Sequence, residues 1–303
     1  MNRKLELQIG MIGLDTSHCE AFTEIIQDHS HPYHVPGGRV TVAYPGGSPD
    51  FPLSATRVGT ITHALQERFG VRIADSIAEV AEQADAILLT SVDGRIHLQQ
   101  FAAVASFGKP VFIDKPLAVS FAEALRIFEL ARRHRVPVMS CSSLRFADGL
   151  VNAMQRQENG PITGAYCFGP MPLQPALPGL FWYGIHTVEM LFAVLGKDCV
   201  NATAVSSEEG DVITGLWADG RLGVIRGDRT WNKAFGAVIH HRDTVQFIDV
   251  QADVKPYYAC LIEHVMRFFH SGQSPVDRME TLAIMRFIEA ANESRQTGRT
   301  VML

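Results

Sequence analysis

The 303-residue chain has no apolar run long enough to span a bilayer, and no run of lysines or arginines long enough to track a phosphate backbone. Membrane-spanning and nucleic-acid-binding readings are set aside on that ground, and a formal net charge of -5 points the same way. Cysteine is sparse: Cys19, Cys141, Cys167, Cys199 and Cys260 form an odd, scattered set with no C-x-x-C pair. Such a set argues against a disulfide framework and against a zinc site, and suits reduced thiols in a cytoplasm. The opening MNRKLELQIGMIGL has a short apolar stretch interrupted by Glu6 and Gln8 that leads into a strand, so no export signal is read there. Repeats and low-complexity segments are absent. Glycine is missing where it would be most telling. The stretch GMIGLDTSH, residues 10 to 18, supplies Gly10 and Gly13 after a strand, but the next two positions that a dinucleotide-binding turn fills with glycine hold Asp15 and His18.

The chain does have 47% hydrophobic residues, enough for a full core, and a length that favours two domains over one. From residue 5 to about 118, short apolar strands (LQIGMIGL, RVTVAY, VRIA, DAILLT, PVFIDKP) alternate with amphipathic helices. That alternation predicts a parallel sheet with right-handed crossovers, a Rossmann-type half. One more helix and the strand PVMSCSS follow, after which the pattern changes. Residues 162 to 252 contain short β-like runs separated by Gly, Asp and Asn, the mark of a mainly antiparallel sheet. Two helices close the chain, the second ended by Gly298. The expected fold is α/β: a Rossmann domain over 1–118 and an α+β domain over 119–303, whose last helices are free to pack back on the first.

Two segments carry chemistry. In VFIDKPLA, residues 111 to 118, a strand leaves Asp114, Lys115 and Pro116 at its carboxyl end, where open parallel sheets place ligands; an acid beside a lysine is also an ordinary surface pair. In FWYGIHTVEMLFAVLG, residues 181 to 196, Ile185, Val188, Phe192 and Leu195 share one helical face, while His186 and Glu189 lie three apart on a neighbouring one. A histidine beside an apolar stripe is commonly a satisfied core residue. The H-x-x-E spacing suits two metal ligands, but nothing else completes a site and no metal is expected. His240 and His241 are adjacent in a strand and point to opposite faces.

With these segments in order, the chain resembles the glucose-fructose oxidoreductase and inositol dehydrogenase (Gfo/Idh/MocA) family over nearly its whole length. The resemblance rests on IGMIGL, DAILLTSVDGRIHLQQFAAVASFGKPVFIDKPLA, LRFAD, GIHTVEMLFAVLG and FIEAANESRQTGRTVML. It implies a nicotinamide-dependent oxidoreductase, using NAD or NADP, that acts on a hydroxyl or ketone of a sugar, polyol or related small molecule. Lys115 would polarise the reacting oxygen and His186 would carry its proton. The cofactor would be met by Gly10, Gly13, Asp15, Thr16, Ser17, His18, Tyr44, Ser91, His97, Asp114 and Lys115. Arg145, Trp182, Tyr183 and Glu189 would line the substrate, with Arg145 also placed to pair with Asp148. A homodimer or homotetramer is implied as well.

The departures from that family matter. Asp114 replaces a glutamate, Trp182 stands where an aspartate is usual, and Tyr44 ends a strand where an acid would bind the ribose, which leaves NADP open. Asp15 brings a carboxylate to the pyrophosphate position, or caps the helix that begins near Ser17. Thr16, Ser17 and His18 offer side-chain donors in place of bare backbone. These features also leave open a rival class, a non-redox member that binds a small molecule as a sensor or accessory subunit.

Overall fold

A computed structural model describes residues 6–303 and divides the chain into two compact units, each with its own sheet. Leu5, where the first strand was expected to begin, lies outside the described residues.

The first unit runs to residue 118 and also takes in 122–141 and 258–276. Its elements are β1 (Leu7–Ile12), α1 (His18–Gln27), β2 (Gly38–Tyr44), α2 (Pro52–Phe69), β3 (Arg72–Ile73), α3 (Ile77–Gln83), β4 (Ala86–Leu89), α4 (His97–Ala105), β5 (Val111–Ile113), α5 (Phe121–His134) and β6 (Val138–Met139). The six strands pair in parallel in the order β3-β2-β1-β4-β5-β6. The order reverses between β1 and β4, so their loops diverge and leave the crevice in which such sheets bind ligands.

Sequence accounts for these elements locally. All four residues of β4, Ala-Ile-Leu-Leu, are buried, as a strand covered on both faces requires; a fully buried Leu or Ile contributes roughly 1.5–3 kcal/mol. Gly10 is a packing glycine: a Cβ there would run into Val80 of α3, so its absence lets that helix lie close to β1. Strand β5 is shorter than PVFIDKP suggested. The Asp114 N–H still bonds to the Leu89 carbonyl, but the Lys115 N–H turns to the Asp114 side chain and Pro116 has no N–H to give. The strand read in PVMSCSS likewise stops at Met139, before Ser142 caps the next turn through the Leu144 N–H.

The second unit contains α6 (Asp148–Gln155), β7 (Ile162–Pro170), α7 (Gly184–Leu195), β8 (Cys199–Ser206), β9 (Gly210–Trp217), β10 (Leu222–Asp228), β11 (Gly236–His241) and β12 (Val245–Asp249). Helix α8 (Tyr257–Ser271) belongs to the first unit from Tyr258 onward, whereas α9 (Arg278–Thr297) and β13 (Val301–Met302) belong to the second. The sheet order is β12-β11-β7-β10-β9-β8-β13, antiparallel except for β7 against β10, whose connection passes through α7 and two strands. Helix α7 is buried on nearly every side, not only along its expected stripe. Gly298 ends α9 with φ +68°, and a bulge separates exposed His240 from buried His241. All five cysteines are free and buried.

Candidate functional site

In the first unit the expected residues gather at the carboxyl ends of β1, β4 and β5. Gly13 adopts φ +87°, and a Cβ there would clash with Ser91, so glycine is required on both counts. Asp15 is fully buried. One carboxylate oxygen accepts from the Ser54 hydroxyl at 2.5 Å and the other from the Val92 N–H at 2.8 Å. The helix-cap alternative is thereby corrected: α1 starts after Ser17 with no side-chain cap, because the Asp15 carboxylate is drawn to the loops after β2 and β4. Burial pushes the Asp15 pKa up, against the opposing hydrogen bonds from Ser54 and Val92.

The three donors expected beside Asp15 are used differently. Thr16 Oγ1 receives the His18 N–H, Ser17 is exposed, and His18 Nδ1 lies 2.5 Å from Asp114 Oδ2. His18 also packs its ring against Phe22 and Tyr258, at 5.1 and 4.9 Å between centroids. Asp114 thus sits between two cations or potential cations, His18 through its side chain and Lys115 next in the chain. Burial alone would raise its pKa, but His18 and Lys115 outweigh burial and hold the carboxyl below its ordinary range. For Lys115 the balance is reversed: burial lowers the ammonium's pKa and Asp114 only partly restores it. His97 clasps this turn from behind, with Nδ1 2.9 Å from the Pro116 carbonyl and Nε2 2.8 Å from the Ser91 carbonyl. The Ser91 hydroxyl is buried and has no hydrogen-bond partner. Tyr44 is half-buried at the end of β2.

In the second unit, His186 opens α7, and its Nδ1 lies 2.7 Å from the Ser142 hydroxyl. Tyr183 and Phe235 flank the imidazole with ring centroids at 5.1 and 5.6 Å, and Tyr183 continues to Trp182 and Trp231. Glu189 does not join His186. It pairs with Arg145 at 2.5 Å, and Arg145 also binds Glu280 of α9. One buried guanidinium thus serves two carboxylates from distant parts of the chain, beyond the alternative of a pair with nearby Asp148. Burial, opposed by Arg145 and reinforced by Glu280, pushes the Glu189 pKa up to about 7. Among the described residues no group of three His, Cys, Asp or Glu could hold a metal ion, and no helix is long and apolar enough to cross a membrane.

Ser54, Ser142, Glu280, Trp231 and Phe235 were not singled out from the sequence. Each acts on a partner that is distant along the chain, and a lone serine or an aromatic in a β-rich segment carries no spacing signal. The KP turn and the histidine at the start of α7 were the parts that a motif could find.

Residues 55–141 match the Gfo/Idh/MocA model, described as an oxidoreductase family with an NAD-binding Rossmann fold. Inositol 2-dehydrogenase 2 of Saccharopolyspora erythraea is 28% identical over 156 residues, 48% of this chain and 46% of that protein. An uncharacterized oxidoreductase of Streptococcus pneumoniae is 24% identical over 107 residues, 34% of this chain and 29% of that one. The chain thus matches less than half the length of these curated relatives. The crystal structure of scyllo-inositol dehydrogenase from Lactobacillus casei, with bound NAD(H) and scyllo-inositol, superposes with a TM-score of 0.79 at 14% identity. That likeness covers 98% of this chain and 99% of the other, and shows a shared fold.

Proposed function

We propose that the chain, similar to the Gfo/Idh/MocA oxidoreductase family over residues 55–141, is a nicotinamide-dependent dehydrogenase or reductase acting on a hydroxyl or ketone of a polyol, sugar or related small molecule. The observation that carries this reading is Lys115, an ammonium buried at a strand end of the parallel sheet and held in a turn clasped by Asp114 and His97. The sheet fits a dinucleotide in its order reversal, in the positive φ of Gly13 and in the unpartnered Ser91 hydroxyl beside it; it departs at Asp15. Gly13 and Ser91 would help to hold NAD or NADP, which when bound exchanges a hydride with the carbon that bears the oxygen.

The remaining steps fall to the chain's own groups. Lys115 bears on the reacting oxygen: its charge favours an alkoxide, and its burial strengthens that interaction relative to water. His186 carries the proton, its ring oriented by Ser142. Asp114, tied to both His18 and the Lys115 N–H, positions the lysine and supports its charge. Trp182 and Tyr183 give the substrate an aromatic wall that favours a less hydroxylated compound over a free hexose. The reading includes a cytoplasmic setting, no nucleic-acid partner, and a homodimer or homotetramer; exposed Val212, Leu216 and Leu222 on neighbouring strands of the second sheet support a second copy as cover.

The test is Lys115→Met. Turnover should be lost, mainly in kcat, while cofactor affinity stays within a few-fold of wild type. An unchanged kcat on a proven substrate would refute the assignment.

A further inference from the structure

In a G-x-G-x-x-G turn the second glycine lets the backbone approach the pyrophosphate. That position here is Asp15, which has no exposure at all. Its carboxylate joins three loops. It accepts from Ser54 at the start of α2 and from the Val92 N–H after β4, while Ser54 Oγ in turn accepts from the Ser48 N–H at 2.8 Å. These are the loops at the order reversal of the sheet. The donors that Asp15 occupies, a backbone N–H and a hydroxyl, are of the kind a phosphate takes.

A second observation lies beside it. Ser91 is 1% exposed, and its hydroxyl has no hydrogen-bond partner and sits so close to Gly13 that no Cβ would fit between them. Buried hydroxyls without partners are rare in native proteins. This one lies against the glycine of the turn, one residue before the Val92 N–H that Asp15 holds.

We propose that Asp15 is a built-in stand-in for phosphate: its carboxylate holds the loop donors in the free protein, and a dinucleotide binds only by taking the Val92 N–H and the Ser54 hydroxyl from it. The proposal rests on the nicotinamide reading above and makes Asp15 the residue that sets cofactor affinity. A carboxylate and a pyrophosphate cannot share buried donors without strong repulsion, so one displaces the other. Wild-type affinity is therefore low, and removing the charge raises it.

The experiment titrates the full chain, Asp15→Asn and Asp15→Gly with NADH and with NADPH, following ligand fluorescence and heat. Asn keeps the shape and removes the charge, whereas Gly also frees the backbone for close approach; thermal melts establish that each variant is folded. Both variants should bind at least one dinucleotide more tightly by about tenfold or more, the effect of removing a unit charge a few ångströms from a phosphate. Equal affinity in all three proteins overturns the proposal and leaves the nicotinamide reading standing. Weaker binding in the variants also overturns it, by showing that Asp15 contributes to the grip. Absence of binding by every protein overturns the nicotinamide reading, and the stand-in role with it.

Discussion

Glu189→Gln should change how the stability of the second unit responds to pH. Glu189 is 2% exposed and shares the Arg145 guanidinium with Glu280. Burial first, then Glu280, raise the Glu189 pKa from 4.5 to about 7 against the pull of Arg145. Between those two values the folded chain binds more protons at this site than the unfolded chain does. Unfolding free energy therefore falls as pH rises from about 4.5 to about 7. At about 1.4 kcal/mol for each pH unit, the full loss is on the order of 3 kcal/mol. Glutamine keeps the volume and an acceptor for Arg145 but cannot ionise, so this loss should vanish. All three tryptophans, Trp182, Trp217 and Trp231, lie in the second unit, and their fluorescence during urea unfolding reports that unit alone. Measured from pH 5 to pH 8, the variant should gain on wild type steadily and level off above about pH 7. Parallel curves for the two proteins would show that the Glu189 pKa is not raised by folding, and a gain confined to the acid end would show that it is lowered.

Ser142→Ala removes the group that orients His186 and should lower kcat and alter the kcat/KM pH profile, with the Glu189–Arg145 pair intact; a fall in stability with an unchanged pH profile would contradict a positioning role. Trp182→Ala should erode the preference for less hydroxylated or partly aromatic substrates in a screen of sugars, polyols, hydroxy acids and aryl alcohols. Highest efficiency on an unmodified hexose, unaffected by the substitution, would show that the aromatic wall does not shape specificity. Asp114→Asn should reduce turnover through Lys115 while leaving the sheet folded, since the amide can still accept from the Lys115 N–H but carries no charge to support the ammonium; wild-type kcat would count against it.

What the sequence made legible was periodic or adjacent. Alternating apolar strands and amphipathic helices gave away the parallel sheet, and Gly298 marked the end of α9 because a left-handed residue is needed there. Lys115 and His186 stood out because motifs surround them. Asp15 could be read two ways because its real partners are far along the chain: Ser54 lies 39 residues on and Val92 lies 77. The same holds for His18, expected to meet a phosphate and found on Asp114, 96 residues away. Arg145 could be read as meeting a substrate oxygen or as pairing with nearby Asp148, whereas folding brings Glu189 and Glu280 to it across 44 and 135 residues. Side-chain networks between loops depend on tertiary placement, and no local spacing encodes them. The cofactor turn is where that gap matters most, since the Asp15 carboxylate there takes donors from two distant loops.

The central claim, hydride exchange between a nicotinamide and a carbinol carbon, is tested most directly by isotope transfer. A panel of sugars, polyols, hydroxy acids and aryl alcohols deuterated at the carbinol carbon is incubated with saturating NAD or NADP and either the wild-type chain or Asp15→Asn, and the nicotinamide product is analysed by mass spectrometry. Deuterium should appear in the reduced ring, carried from at least one compound of the panel, and be lost in Lys115→Met. Reduced cofactor without deuterium, or no transfer from any compound of the panel by either protein at saturation, would contradict hydride exchange.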